Sequence, residues 1–294
     1  MTTVERFLEY LKEEKNASDL TLRQYRSSFN RFARFLDPHT PPGTPQAGLG
    51  LATQLDIKNF KTWATNNLKP NTVRQTLTHL KAYFNYLVRL GEIPDNPVEH
   101  IESVTAVKIA PKWLDRNEQN ALIRTVRGHG DLRELAIITT LMHTGLRVQE
   151  LCDLTPRDIE IGERKGKVIV RKGKWNRFRE VQLNKDVRRI LKQYMDEHNG
   201  ELFNTQRSER MSTRAVQHII GKYRKLTGIT HLTAHSLRHT FCHELVVRKI
   251  PLDVVARLAG HCKADGTPNI QQTLVYTQPG EDDLQSAVEE LSWV

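Results

Sequence analysis

Three cysteines in 294 residues, Cys152, Cys242 and Cys262, are too few for a disulfide framework. No stretch approaches the roughly 18 consecutive apolar residues of a membrane helix, so no membrane partner is expected. The amino terminus, MTTVERFLEYLKEEK, meets acidic residues at once and has no apolar signal core. No internal repeat or low-complexity tract stands out. Lys and Arg are missing altogether from EDDLQSAVEELSWV, positions 281–294, so no basic tail supplies the positive charge. These absences exclude a disulfide-stapled secreted domain, a membrane span and a repeat array, and predict a reducing, cytoplasmic setting.

What is present is charge. The chain holds 44 Lys plus Arg against 34 Asp plus Glu, a net charge of +10 with pI about 9.6. A polyanion is the natural partner, with nucleic acid the first candidate. Residues 1–110 carry 14 basic and 11 acidic side chains, leaving 30 and 23 for the remainder, so the excess belongs to both halves.

The first hundred residues read as helices. In SDLTLRQYRSSFNRFARFL, Ser18 is a good cap, and Leu22, Tyr25, Phe29, Phe32 and Leu36 recur every three or four positions. Prolines and glycines make 37–50 a loop. Helical patterns follow near 55–66 and over 70–90, the second carrying Val73, Leu77, Leu80, Phe84, Leu87 and Leu90 before Gly91. The texture changes over 92–112, with three prolines and no sustained period. This places a helical domain at 1–100, a linker at 101–112 and a second domain at 113–294. The second domain opens with a capping-box pattern, Asp115 and Glu118, and continues into an apolar helix closing at Gly145. RDIEI, KVIVRK and RFREVQL then read as strands joined by turns, and helix returns from 184. The expected architecture is an all-α domain joined to a mainly-α domain with a small antiparallel β-sheet.

AHSLRHTFCHEL, 234–245, spaces His235, His239 and His243 four apart, which on a helix stacks three imidazoles. A metal site is one reading. Against it, Arg238 shares the His235 face, cannot be a ligand, and presents a fork suited to phosphate oxygens. Cys242 would point off the His243 face. The other reading pairs His235 with Arg238 on an anion and leaves His239 and His243 to packing or capping. In HTGLRVQELCDL, Arg147 and Glu150 are an ordinary surface ion pair unless the helix is buried, in which case Glu150 can hold the guanidinium. LAGH ends in His261 and LVYTQ offers Tyr276. Two arginines, imidazoles, a lysine of the strand hairpin and a tyrosine hydroxyl would together suit metal-free attack on a phosphodiester, whose transition state gains negative charge.

TGLRVQEL, VRKGKWNRFREVQL, HSLRHTF, LAGH and LVYTQ, in this order, resemble the tyrosine recombinases of the Xer and phage-integrase type. The resemblance covers nearly the whole chain. It implies a SAM-like core-binding bundle followed by a catalytic domain. It also implies a site-specific recombinase that holds duplex DNA between its two domains. Tyr276 resembles the nucleophile, and Arg147 and Arg238 the phosphate clamp. His235 would assist proton transfer, His261 would bond the scissile phosphate, and Glu150 would order the site. Lys172 would protonate the leaving 5′-oxygen, with Lys174 its competitor. The resemblance further implies no cofactor, neither ATP nor metal, and a tetramer on two core DNA sites that passes through a Holliday junction. The acidic tail is the candidate contact between protomers, the alternative being a terminal helix on its own domain. Base readout is expected from the helices at 70–90 and 212–228. Suitable tasks are transposon cointegrate resolution, chromosome or plasmid dimer resolution and element integration. No arm-binding domain is evident, which favours recombinases acting on short core sites. A non-catalytic DNA-binding regulator on this fold and a topoisomerase of type IB chemistry stand as alternatives. Two departures matter: the segment between His261 and Tyr276 is about six residues longer than the family's spacing, and the hairpin after Lys172 about two.

Overall fold

The computed structural model describes residues 2–39, 48–104, 111–171, 178–197, 202–203, 210–263, 265–277, 285 and 288–291. The chain divides into two compact units, Met1–Lys108 and Ile109–Val294.

The first unit is helical: α1 (Thr3–Glu13), α2 (Asp19–Leu36), α3 (Gln54–Asn67) and α4 (Pro70–Arg89). Ser18 caps α2, its hydroxyl accepting from the Thr21 amide at 3.2 Å. Pro70 opens α4, where its missing N–H costs nothing. The apolar stripes of α2 and α4 meet in an aromatic core of Phe7, Phe29, Phe32, Phe60, Tyr83 and Phe84. Leu36 and Leu90, the last members of the two stripes, stay exposed because the helices end there. One polar pair is buried among these rings: Ser28 and His79 Nδ1 share a hydrogen bond of 2.8 Å, and the imidazole stacks on Tyr25. Val98 is buried in the same core, and Ile101 and Val104 pack against it.

The second unit runs α5 (Arg116–His129), α6 (Leu132–Thr144), α7 (Val148–Cys152), β1 (Ile159–Ile161), β2 (Gly166–Val170), β3 (Arg179–Gln182), α8 (Lys185–Glu197), α9 (Thr213–Thr227), α10 (Ala234–Val247), α11 (Leu252–Ala259) and α12 (Ile270–Thr273). A single 3₁₀ turn, Leu274–Tyr276, follows. The sheet has the order β1-β2-β3, antiparallel throughout, with Val168 facing Ile159 and Val181, and Val170 facing Arg179. Asp115 and Glu118 close a capping box on α5. Helix α6 is buried on nearly every side, with Ala136, Ile137, Ile138 and Leu141 fully enclosed, and α8, α10, α7 and α9 pack around it. Glu134 near its start accepts from the Tyr223 hydroxyl and pairs with Lys222 at 2.7 Å, which pins α9 to α6.

The chain leaves α6 through Gly145, at φ +62°, where L side chains are strained. A methyl group there would also run into the Phe241 ring of α10. Gly145→Ala should therefore destabilise the second unit by about 2 kcal/mol or more, read as a lowered urea midpoint at unchanged slope.

Candidate active site

The site is built on the two segments that leave α6 and α11. Beyond Gly145 the chain turns into α7, a short helix whose buried face is Leu151 and Cys152, so Arg147 stands at its first turn with Glu150 beneath it. Glu150 is 4% exposed, which makes this no surface ion pair. Its Oε1 accepts Arg147 Nη1 at 2.8 Å and its Oε2 accepts the Arg147 backbone N at 2.7 Å. Burial by itself would raise the Glu150 carboxyl; the Arg179 fork, with Arg147 after it, overcomes this and holds it at about 2.

At the other segment α11 ends in Gly260, at φ +67°. Arg147 Nη2 donates to the Gly260 carbonyl at 3.0 Å. Arg238, on α10 and 6% exposed, donates Nη1 to the Gly145 carbonyl at 2.5 Å and Nη2 to the Ala259 carbonyl. Its guanidinium thus joins the ends of α6 and α11, bringing both arginines to one turn. Burial, then the neighbouring Arg147 charge, lower the Arg238 value to about 10.

His261 follows Gly260 directly and is 2% exposed, with Nδ1 3.1 Å from the Thr273 hydroxyl of α12. Burial, then Arg238, Arg147 and Arg179, lower it to about 3, so the ring is neutral at ordinary pH. The longer segment that follows is taken up locally. Cys262 and Pro268 form an antiparallel bridge, and the Asn269 amide returns to the His261 carbonyl at 2.6 Å. The chain therefore re-enters the site where it left it, Asn269 caps α12, and Tyr276 lies with its ring parallel to His261 at 6.0 Å between centroids.

Tyr276 is buried beside Cys242, Val255 and Ala259. Burial, with Cys242 adding to it, pushes the phenol above its ordinary range, against the pull of Arg238 and Arg147. Its hydroxyl shares a 2.9 Å hydrogen bond with His239 Nδ1. This corrects the expectation that His239 only packs or caps: the turn Leu274–Tyr276 brings the phenol onto its face of α10. Burial, then His235 and Arg238, lower the His239 value to about 4. His235 is exposed, its ring 6.1 Å from that of His239, and His243 stacks on Trp113. Among the described residues no three His, Cys, Asp or Glu are grouped to hold a metal ion.

Arg147, Glu150, Arg238, His261 and Tyr276 thus meet around one turn, with His235 at its exposed edge. Lys172 and Lys174 lie outside the described residues, as does most of the acidic tail. Sequence reasoning missed Arg179 and His239. Arg179 was detectable: two positions before the buried Val181 on one strand, it must face inward, and an inward arginine needs a carboxylate.

Comparison with known proteins matches the phage integrase family over residues 112–279 and the phage integrase N-terminal SAM-like domain over residues 4–91. The chain is 28% identical to the tyrosine recombinase XerC of Bacillus subtilis over 298 residues, covering 96% of this chain and 93% of that protein. It is 29% identical to the XerC of Thermodesulfovibrio yellowstonii over 293 residues, covering 92% and 89%. Its fold resembles the Tn1549 transposon integrase in complex with a circular intermediate DNA, with TM-score 0.74, 20% identity and coverage of 99% and 100%. It also resembles the XerH site-specific recombinase bound to difH substrate, with TM-score 0.70, 19% identity and coverage of 97% and 82%.

The buried neutral histidines make stability depend on pH. Folded His261 titrates well below its value of 6.5 in the unfolded chain, so unfolding takes up a proton as pH falls. Stability is complete above about pH 6.5 and declines below it, by about 2 kcal/mol from His261 alone between pH 7 and 5. Urea unfolding across this range should show the decline, and His261→Asn should make it shallower, with the His239 contribution remaining. An equal slope in the variant would show that His261 is not held neutral.

Proposed function

Because the chain belongs to the phage integrase family and is a tyrosine recombinase, we propose that it cuts and rejoins duplex DNA at specific sites through Tyr276. The observation that carries this reading is the turn at Ala259–Gly260, where Arg147 and Arg238 are bonded side by side next to His261 and Tyr276.

In the proposed reaction the Tyr276 oxygen attacks the scissile phosphorus and the bond to the 5′-oxygen breaks. This leaves a 3′-phosphotyrosyl ester and a free 5′-hydroxyl. The ester conserves the energy of the broken bond, so attack by a 5′-hydroxyl from a second strand rejoins the DNA without ATP. Arg147 and Arg238 meet the charge that grows on the non-bridging oxygens, and His261 hydrogen-bonds the same phosphate. Lys172, with Lys174 as its alternate, protonates the leaving oxygen. His235 assists removal of the phenol proton.

The resting contact of Tyr276 with His239 gives DNA a second task. Burial is the larger cause that depresses His261 and His239 and remains when DNA binds, but a phosphate seated between Arg147 and Arg238 offsets the smaller part due to nearby positive charge, so both imidazoles become better proton acceptors. We infer a tetramer on two DNA sites, exchanging strands through a Holliday junction in the cytoplasm, with the acidic tail as the contact between protomers. Exposed Arg74, Gln75 and Thr78 of α4, and Arg214, Gln217 and His218 of α9, are the side chains we assign to DNA readout.

A duplex nicked beside the cleavage site should trap a covalent protein–DNA adduct that survives EDTA and is lost in Tyr276→Phe. An EDTA-sensitive reaction, or an adduct in the Phe variant, would sink the assignment. Arg147→Ala and Arg238→Ala should each lower the cleavage rate by about 10² to 10³. No adduct at all would mark a DNA-binding regulator, and supercoil relaxation without strand exchange a topoisomerase.

A further inference from the structure

Arg179 opens β3 opposite Val170, and its side chain enters the core face of the strand, where it is 13% exposed. Its fork spans Glu150, with Nη1 on Oε1 at 2.8 Å and Nη2 on Oε2 at 2.7 Å. Since Arg147 donates to the same two oxygens, each receives two donors. On its other side the guanidinium lies against Gly260, where a Cβ would stand 2.8 Å from Arg179 Cζ. Among the described residues its buried Nε has no hydrogen-bond partner, which costs roughly 1–3 kcal/mol. The fold keeps an arginine here despite that cost.

Charge balance gives this residue a role. The clamp owes its attraction for a phosphate to Arg147 and Arg238, yet Glu150 touches Arg147 and would cancel half of their joint charge. Arg179 is a third guanidinium, bonded to Glu150 alone among the described carboxylates. We propose that Arg179 is a positioning residue: it neutralises and fixes Glu150, so that Arg147 and Arg238 both meet the scissile phosphate at full charge. The proposal rests on the recombinase reading above. Burial opposes ionisation of Glu150, and Arg179 heads the groups that restore it.

The test measures adduct formation on the nicked duplex by Arg179→Gln and Arg179→Lys. Each is assayed with a phosphate and with an uncharged methylphosphonate at the scissile position. On phosphate, the Gln variant should cleave about 10 to 100 times more slowly while binding DNA within about threefold of the unsubstituted protein. The Lys variant, which keeps the charge, should recover most of the rate. On methylphosphonate, where the clamp has less charge to meet, the Gln deficit should shrink about tenfold. Equal deficits on both substrates, a Lys variant no better than Gln, or a Gln variant at full rate would each overturn the proposal. Should the Gln variant not fold, the Lys variant decides: a rate within about tenfold of normal on phosphate supports the proposal and a slower one overturns it. If the unsubstituted protein forms no adduct, the recombinase reading fails; if it does and Arg179→Gln is unaffected, only the role of Arg179 fails.

Discussion

The Glu150 carboxylate, buried between the guanidiniums of Arg147 and Arg179, is the interaction on which the site is assembled. Taking such charges out of water costs several kcal/mol per ion, and attraction recovers this only when the geometry is good and the remaining lone pairs are satisfied. Here both conditions hold, since four N–H groups at 2.7–2.8 Å fill two oxygens. The cluster also joins segments distant in sequence: the start of α7, the first residue of β3 and, through Arg147 and the carbonyl of Gly260, the end of α11. Its geometry sets where His261 leaves α11, and thereby where Tyr276 returns.

Arg238 adds the opposite kind of stress. It carries a buried positive charge whose donors rest on two backbone carbonyls, with Arg147 close enough to lower its affinity for a proton. Carbonyl dipoles stabilise a cation less than a carboxylate does, so this pocket is under-neutralised and suits an anion. Burial first, and this surplus of charge after it, keep His261 and His239 neutral, while burial keeps Tyr276 a protonated phenol against the pull of the same arginines. The charge that suits an anion thus also helps to hold the two imidazoles neutral.

Much of this was legible from local chemistry. Ser18 and the Asp115–Glu118 pair marked helix starts, the apolar stripes of α2 and α4 marked their buried faces, and alternating or β-branched patterns marked all three strands. Arg147, Glu150, Arg238, His261 and Tyr276 stood out because their residue types suit a phosphodiester and their short motifs resemble a family. The contact between His239 and Tyr276 was hidden, because 37 positions separate them and the bridge at Cys262 and Pro268 that brings them together has no periodic signature. Spacing alone also made the segment after His261 look too long.

The sequence by itself determined which faces of the elements are apolar, where they begin and end, and which side chains can do phosphoryl chemistry. These follow from backbone preferences and the character of individual residues, which operate over a few positions. Only the tertiary structure decided that Glu150 belongs to two arginines, that His239 rather than His235 touches Tyr276, and that Gly260 is the turn where Arg147 and Arg238 meet. Those outcomes depend on which charges share a low-dielectric interior, and burial is a property of the packed chain.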